Sequence, residues 1–274
     1  MIVGVVGLGL IGGSFAKAFS KAGHTVYACD VDASVVHFAM LEGTASRELT
    51  AETLRKCDLL LLCVYVEDAI RYLEAHQSFI SPDTLVIDSC GTKRRIVEYA
   101  AEAAQKNGFL FVGGHPMAGK QYSGYKYSSE DLFRGAPMIL VPPSPDDIRL
   151  LSRAKEALSP AGFAKYSATT AEEHDRIIAY TSQLAHVVSS AYIKRPGSAE
   201  CKPFSAGSFR DMTRVAEMNG DMWTDLFMEN RDNLAAEIEE LTRHLNEYRD
   251  ALIAADAETV RALILEGTVR KRGG

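Results

Sequence analysis

The chain has 274 residues, of which 47% are hydrophobic and 24% charged, and its formal net charge is −6. This size and composition predict a globular protein with one large or two medium domains. The negative charge argues against a nucleic acid or an acidic membrane as the partner, because their phosphates attract a basic face. No signal-peptide pattern follows Met1, no apolar run reaches membrane-helix length, and the five cysteines form no CxxC pair. We therefore expect a cytoplasmic protein with reduced thiols.

The first half of the chain alternates short aliphatic runs with amphipathic stretches. The predicted strands are Ile2–Val6, Thr25–Cys29, Asp58–Val64, Thr84–Asp88, Leu110–Val112, Met138–Val141 and Ala164–Ser167. The predicted helices include Leu10–Ala22, Ser34–Leu41, Lys93–Lys106 and 146–160. Strands that alternate with helices predict a Rossmann-type α/β domain with a parallel sheet and right-handed crossovers, over residues 1–169.

The second half, residues 170–274, carries helical periodicity with almost no strand signal. The pattern is clearest over 171–194, which the Pro-Gly pair at 196–197 follows, and over 225–267. Aliphatic residues such as Leu234, Ile238 and Leu241 recur at three- and four-residue spacing, which places one apolar stripe on the helix. We expect an all-α domain that either folds onto the first domain or interleaves with a second copy of the chain.

The turn between the first strand and the first helix contains the glycine pattern GLGLIG. Gly7 permits the tight turn, Gly9 lets the backbone approach a pyrophosphate, and Gly12 lets the helix pack close to the strand. The helix opens at Leu10 and Ile11, whose N–H groups and positive dipole end favour phosphate. The pattern therefore predicts a dinucleotide-binding turn.

Asp30 directly follows the second predicted strand. A carboxylate there accepts hydrogen bonds from the adenosine ribose and repels a 2′-phosphate, which favours NAD over NADP as the cofactor. The alternative role is a helix cap, for which Asp32 is the better candidate. Ligands of a parallel sheet lie at the carboxyl ends of its strands, which adds Val64, Ser89 and Gly91 to the predicted cofactor site.

Three segments outside the glycine turn carry candidate catalytic and substrate-binding groups. His115, in GGHPMAGK, is expected at the nicotinamide end of the cofactor as an acid or base, the alternative being a histidine fixed in a loop. Ser182 and His186 share one face of a predicted helix, where a buried structural histidine is the alternative. Arg214, in FRDMTR, is suited to grip a carboxylate, and the aromatic and methionine residues around it, including Trp223, predict that it is partly buried.

Together these segments resemble the prephenate and arogenate dehydrogenase family of tyrosine biosynthesis. The resemblance rests on GLGLIGGS, DSCGTK, GGHPMAG, the Ser-x-Leu-x-His helix and FRDMTR with its tryptophan, and it covers nearly the whole chain. It implies a homodimer with intertwined helical domains and the NAD-dependent oxidative decarboxylation of prephenate to 4-hydroxyphenylpyruvate. It also implies that His115 hydrogen-bonds the ring hydroxyl, that Arg214 binds a substrate carboxylate and that His186 lies at the substrate side chain. No metal is expected, since the sequence contains neither HExxH nor a Cys/His ligand cluster.

The chain departs from the family pattern at two places. Gly91 stands where many relatives carry a serine, so the hydroxyl partner of His115 is either missing or supplied by Ser89 or water. Lys120 and Gln121 stand where many relatives carry threonine and glutamate, and we expect Lys120 to bind a substrate carboxylate. Prephenate has two carboxylates and no amine, so this change favours prephenate over arogenate. The alternatives are an arogenate or dual-substrate dehydrogenase, a β-hydroxyacid dehydrogenase and a non-catalytic NAD-responsive module.

Overall fold

The computed structural model describes residues 1–120, 122–144, 146–197, 200 and 203–273. Its packing divides the chain into two compact units. The first unit contains Met1–Ile178 and Met218–Glu229, and the second contains Ala179–Glu217 and Asn230–Gly274. A segment from the second half of the chain is thus part of the first unit. The domain boundary expected after residue 169 stays a prediction.

The first unit is built on one eight-stranded sheet. Its strands are β1 (Ile2–Val6), β2 (Thr25–Cys29), β3 (Arg47–Glu48), β4 (Leu59–Leu62), β5 (Leu85–Asp88), β6 (Leu110–Pro116), β7 (Pro137–Val141) and β8 (Lys165–Ala168). They lie in the order β3-β2-β1-β4-β5-β6-β7-β8, and neighbouring strands are parallel except for β6 and β7. The order reverses between β1 and β4, and ligands of such sheets lie outside the carboxyl ends of the strands at that point.

Helices of the first unit cover both faces of this sheet, and further helices form the second unit. In chain order they are α1 (Leu10–Lys21), α2 (Ala33–Leu41), α3 (Ala51–Leu54), α4 (Val66–His76), α5 (Arg94–Asn107), α6 (Ile148–Ala157), α7 (Ala171–Ile178), α8 (Leu184–Ile193), α9 (Gly207–Thr213), α10 (Gly220–Glu229), α11 (Arg231–Ile253) and α12 (Ala257–Gly273). Helices α1 to α7 and α10 belong to the first unit. In β4, Leu59 and Leu61 enter one apolar cluster with α1, whereas Leu60 and Leu62 enter another with α4 and α5. Alternate strand residues thus bury opposite faces, as a parallel sheet covered on both sides requires.

The prediction that the strand ends at Val112 and a loop follows is wrong. Strand β6 continues to Pro116, and its last four residues pair antiparallel with β7, with His115 opposite Ile139. A Cβ at position 114 would lie 2.5 Å from the Asp88 carbonyl oxygen. Gly114 therefore allows another backbone to approach closely inside the sheet, whereas the two glycines in sequence resemble a loop signal.

The described residues of the second unit are helical and contain no strand. A π-helical turn, Ala179–Gln183, leads into α8. The periodic stretch 225–267 is divided among α10, α11 and α12. Helix α11 buries only Leu234 and Ala251, and α12 buries no residue among those described. No helix in the described part of the chain is both long and apolar enough to cross a membrane.

Candidate active site

The glycine turn after β1 is tight and leaves part of its backbone open. Gly7 has a φ of +84°, and a Cβ there would lie 2.5 Å from Val64 Cγ1. A Cβ at Gly12 would lie 1.8 Å from the Gly7 carbonyl oxygen, so α1 can begin this close to β1 only with glycine at position 12. A Cβ at Gly9, in contrast, would meet no atom of the described residues within 4 Å. The backbone at Gly9 is therefore open to a pyrophosphate.

Asp30 ties the end of β2 to this turn. Its carboxylate accepts the Leu8 N–H at 2.6 Å and the Asp32 N–H at 3.0 Å. The cap of α2 is Asp32, whose carboxylate accepts the Ser34 N–H at 2.9 Å. Asp30 is thus not the helix cap, and its carboxylate lies beside the glycine turn.

The remaining predicted cofactor residues lie at the same edge of the sheet. Leu10 and Ile11 open α1, and no side chain of the described residues caps that end of the helix. Val64 follows β4, while Ser89 and Gly91 follow β5. These positions are at the carboxyl ends of β4 and β5, next to the point where the strand order reverses.

His115, near the end of β6, begins a chain of hydrogen-bonded side chains. Its Nδ1 lies 2.9 Å from His174 Nε2, and His174 Nδ1 lies 2.7 Å from an Asp175 carboxylate oxygen. Asp175 also accepts the backbone N–H groups of Lys93, at 2.7 Å, and Arg94, at 3.0 Å. His174 and Asp175 are buried, whereas His115 is partly exposed. Helix α7 and the start of α5 therefore hold one side of the His115 ring and leave part of it accessible.

A buried ion pair lies beside this chain. Lys93 Nζ donates to the Asp88 carboxylate, and both side chains are completely buried. Asp88 also accepts the N–H groups of Cys90, at 2.9 Å, and Gly114, at 3.2 Å. Lysine is almost never fully buried without such a partner. Through the Gly114 N–H, the pair attaches β6 to the end of β5 one residue before His115.

Burial largely sets the protonation of this cluster. It lowers the pKa of His115 well below 6.5, and His174 and Lys93 lower it further. Burial also lowers the pKa of His174, although the Asp175 carboxylate opposes this effect. For Asp175, burial raises the pKa, but hydrogen bonds from His174 and the Arg94 backbone outweigh it and leave the pKa below its usual value. At neutral pH the cluster holds two neutral histidines and a carboxylate, and a neutral histidine can act as a general base.

His174 and Asp175 belong to none of the motifs found in the sequence. Their only signal is a His-Asp pair near the start of a predicted helix, which is common in proteins without any catalytic meaning. Ser89, a candidate hydroxyl partner of His115, donates its hydroxyl group to the Leu62 carbonyl at 3.2 Å. The hydrogen-bond partner of His115 is instead an imidazole.

Two family models match the chain. The one described as prephenate dehydrogenase, nucleotide-binding domain, matches residues 15–166, and the one described as prephenate dehydrogenase, dimerization domain, matches residues 170–266. A prephenate dehydrogenase of Bacillus subtilis (strain 168) is 30% identical over 269 residues, which cover 93% of this chain and 71% of that protein. The chain belongs to the prephenate dehydrogenase family.

Solved structures in this family share the fold over the full length of the chain. The arogenate dehydrogenase of Synechocystis is 26% identical with a TM-score of 0.85, covering 100% of this chain and 99% of that one. The prephenate dehydrogenase of A. aeolicus, in complex with hydroxyphenyl propionate and NAD+, is 26% identical with a TM-score of 0.84, and the match covers 100% of this chain and 98% of that one. The predicted family, the α/β and all-α fold class and the oxidoreductase class are thus confirmed.

The predicted substrate residues of the helical half fall in both units. Trp223 lies on α10 in the first unit, where its ring packs against Phe227 with centroids 5.3 Å apart. Ser182, in the π-helical turn, and His186, in α8, lie in the second unit and contact each other. His186 Nδ1 donates to the Ser182 carbonyl at 2.9 Å, since a carbonyl oxygen only accepts. Burial lowers the pKa of His186, that hydrogen bond opposes the effect, and the Arg214 guanidinium lowers the pKa further.

Arg214, at the carboxyl end of α9, is exposed, so the partial burial expected for it is wrong for the single chain. The aromatic residues that suggest burial pack elsewhere. Phe209 lies against the Tyr192 ring of α8, with centroids 5.9 Å apart, and Trp223 against Phe227. Closeness in sequence to aromatic residues is therefore a poor guide to burial on a short helix.

The two departures from the family pattern have separate surroundings. A Cβ at Gly91 would lie 2.8 Å from Leu226 Cδ2, so the methyl group of an α10 leucine occupies the space next to Gly91. Lys120 is exposed, and its Nζ donates to the Tyr127 carbonyl at 2.8 Å. Gln121 lies outside the described residues. Among the residues that are described, no cluster of three or more His, Cys, Asp or Glu side chains could hold a metal ion.

Proposed function

We propose that this chain catalyses the NAD-dependent oxidative decarboxylation of prephenate to 4-hydroxyphenylpyruvate. The observation that carries the proposal is a neutral histidine, His115, at the carboxyl edge of the sheet, with His174 and Asp175 behind it. A base of this kind can accept the proton of the substrate's C4 hydroxyl group. The similarity to the prephenate dehydrogenases of B. subtilis and A. aeolicus supports the substrate.

NAD is the proposed cofactor, and when bound it supplies the hydride acceptor. The open backbone at Gly9 and the uncapped start of α1 suit a pyrophosphate. An ionised carboxylate has about four acceptor sites, so Asp30 can hold the Leu8 N–H and ribose hydroxyls together. The same charge repels a 2′-phosphate, which favours NAD over NADP. The NAD+ complex of the A. aeolicus relative supports this assignment.

The proposed reaction requires a proton acceptor and an accurately held substrate. The O–H bond at C4 breaks as its proton moves to His115, and a C4 carbonyl forms as hydride leaves C4. The bond from the ring to its carboxylate then breaks, CO2 leaves, and the electron pair makes the ring aromatic. The resulting phenolate oxygen recovers the proton from His115. Aromatisation drives the loss of CO2, so the protein contributes mainly position and proton transfer.

The substrate-binding roles follow from the resemblance to the family. We propose that Arg214 pairs with a substrate carboxylate, which suits an exposed guanidinium that can bind in a bidentate manner. His186 and Ser182 are proposed at the substrate side chain, and Trp223 as a further contact. Lys120 is proposed to attract the second carboxylate of prephenate.

A homodimer is the proposed assembly, with α11 and α12 in its interface. Helix α12 buries no described residue, and apolar side chains on these two helices are largely exposed, among them Ile253 at 78%, Ile264 at 54% and Val269 at 69%. Exposed apolar surface of this kind marks an interaction site. The match to a dimerization domain supports a second copy of the chain as its partner.

The test of the activity is NADH formation from prephenate by the wild type and by His115→Asn. General-base catalysis contributes about 10²–10⁴-fold, so we expect kcat to fall by that factor with little change in KM. His76→Asn, the same change at the far end of α4, is the matched control and should keep the wild-type kcat. An unchanged kcat in His115→Asn would contradict the base role.

The role of Arg214 has its own test. Loss of a carboxylate contact weakens substrate binding, so Arg214→Ala is expected to raise the KM for prephenate by much more than it changes the KM for NAD. A KM for prephenate within about twofold of the wild type would exclude the carboxylate role.

Arogenate is the second candidate substrate, favoured by the fold similarity to the Synechocystis arogenate dehydrogenase. It carries an amine where prephenate carries a keto oxygen, and a cationic Lys120 disfavours a second cation nearby. The ratio of kcat/KM for the two substrates decides between them. A higher value for arogenate would mean that Lys120 does not set the preference.

A further inference from the structure

We propose that His174 and Asp175 fix the tautomer of His115, so that His115 Nε2 carries the lone pair that takes the substrate proton. The inference rests on the proposed function, since it deepens the role of His115 as the base. His174 is then a positioning residue, because it acts on the reaction only through His115. Neither residue has a role in the sequence patterns that indicate the family.

Asp175 has an ionised carboxylate, which can only accept hydrogen bonds. The N–H groups of Lys93 and Arg94 donate to it at 2.7 Å and 3.0 Å, and Arg94 Nε donates at 3.3 Å. With these donors around it, Asp175 stays ionised although it is buried. The fourth contact, from His174 Nδ1 at 2.7 Å, must therefore also be a donor, so His174 carries its proton on Nδ1.

The tautomer of His174 decides that of His115. A neutral imidazole has one N–H group and one lone pair, so a His174 protonated on Nδ1 can only accept at Nε2. The atom 2.9 Å from that nitrogen is His115 Nδ1, which must supply the hydrogen. The hydrogen bonds of the described residues give His115 no other partner. Its Nε2 is left with the lone pair, on the side of the ring opposite His174.

The groups around His115 can stabilise a proton that arrives on its ring. Lys93 at the start of α5, Asp88 at the end of β5 and Asp175 on α7 are buried, and the partly exposed Arg94 guanidinium pairs with Asp175 at 3.3 Å. Strand β7 brings the apolar Met138 and Ile139 opposite Pro116 and His115. When a proton arrives on His115 Nε2, the hydrogen bonds through His174 to the Asp175 carboxylate stabilise the imidazolium. Without these hydrogen bonds, less would offset the repulsion between the imidazolium and the Lys93 ammonium group.

The direct test is the tautomer of His115, read by nitrogen-15 NMR of histidine-labelled protein near neutral pH. The His115 signals are those lost in His115→Asn. We expect a protonated Nδ1 and an unprotonated Nε2 in the wild type. A wild-type His115 that carries its proton on Nε2 would overturn the proposal.

Two variants test the contribution to the reaction. His174→Phe keeps an aromatic ring but removes the acceptor, and His174→Gln places a carbonyl oxygen where it can accept from His115 Nδ1. We expect the Phe variant to lose about tenfold or more in kcat, with the KM for NAD within about twofold, and to shift His115 towards the Nε2–H tautomer. The Gln variant should recover most of the kcat and the wild-type tautomer. An unchanged kcat in the Phe variant, or a Gln variant no better than Phe, would overturn the proposal.

These measurements separate this inference from the proposed function. If the wild type does not oxidise prephenate, the proposed function fails, while the NMR spectra still decide the tautomer. If His115→Asn is inactive but His174→Phe is fully active, the base role stands and the positioning role of His174 fails. Should His174→Phe not fold, the wild-type tautomer and the kcat of His174→Gln still decide.

Discussion

Replacing Lys93 with methionine measures how strongly the buried ion pair supports the fold around the site. Lys93 and Asp88 are completely buried, and methionine fills similar space without a charge. The change leaves the Asp88 carboxylate in the interior with the N–H groups of Cys90 and Gly114 as partners. Removing one member of a buried pair costs about 3–5 kcal/mol, because the other charge is left uncompensated. We expect about 3 kcal/mol for Lys93→Met, since two N–H groups still stabilise the carboxylate.

The measurement is the free energy of unfolding in urea, compared at equal protein concentration. Trp223, the only tryptophan, lies in the same unit as the ion pair and reports its unfolding by fluorescence. Lys106→Met, in an exposed position of the same helix, is the matched control and should stay within about 0.5 kcal/mol of the wild type. The double variant Lys93→Met with Asp88→Asn should lose less free energy of unfolding than the two single variants lose in sum, by about 1–3 kcal/mol.

Two results would refute this reasoning. A loss below about 1 kcal/mol in Lys93→Met would mean that the pair behaves like an exposed one. Additive losses in the double variant would mean that the two side chains do not stabilise each other, and that the cost of each single change comes from packing alone.

The remaining predictions concern the cofactor turn and pH. Gly9→Ala should keep the wild-type stability, because its Cβ meets no described atom within 4 Å, yet it should weaken NADH binding by about tenfold or more in a fluorescence titration. Gly12→Ala should instead destabilise the fold. A wild-type affinity for NADH in Gly9→Ala would contradict the proposed position of the pyrophosphate. Because the pKa of His115 lies well below 6.5, kcat/KM should stay level as pH falls to about 6.5 and decrease only below it, so a midpoint at or above about 6.5 would contradict a buried neutral base. The unfolded chain binds protons at His115 and His174 near pH 6.5 and the folded chain only at lower pH, so the free energy of unfolding should also fall as pH decreases below about 6.5.

Several features of the site could be predicted because their causes are local in the chain. The conformation of the glycine turn depends on Gly7 and Gly12 themselves, and strands β1 and β2 have the predicted bounds. Asp32 is a better cap candidate than Asp30 because a cap bonds to an N–H two or three residues away, and it is the cap of α2. Short strand β3 carries no such local signal, since its two residues pair with β2 only through the fold.

The sequence by itself therefore determined the glycine turn, the order of strands followed by helices, and the choice of Asp30 and His115 as candidate site residues. Only the tertiary structure decided which residues form hydrogen bonds with His115 and behind it. His115 and His174 meet because β6 continues past its predicted end and α7 packs beside α5, and no local pattern states either fact. The same holds for Lys93, which reads as an ordinary charged residue until the fold buries it against Asp88. Contacts between distant residues depend on the whole arrangement of the chain, and in this protein they set the protonation of the proposed catalytic group.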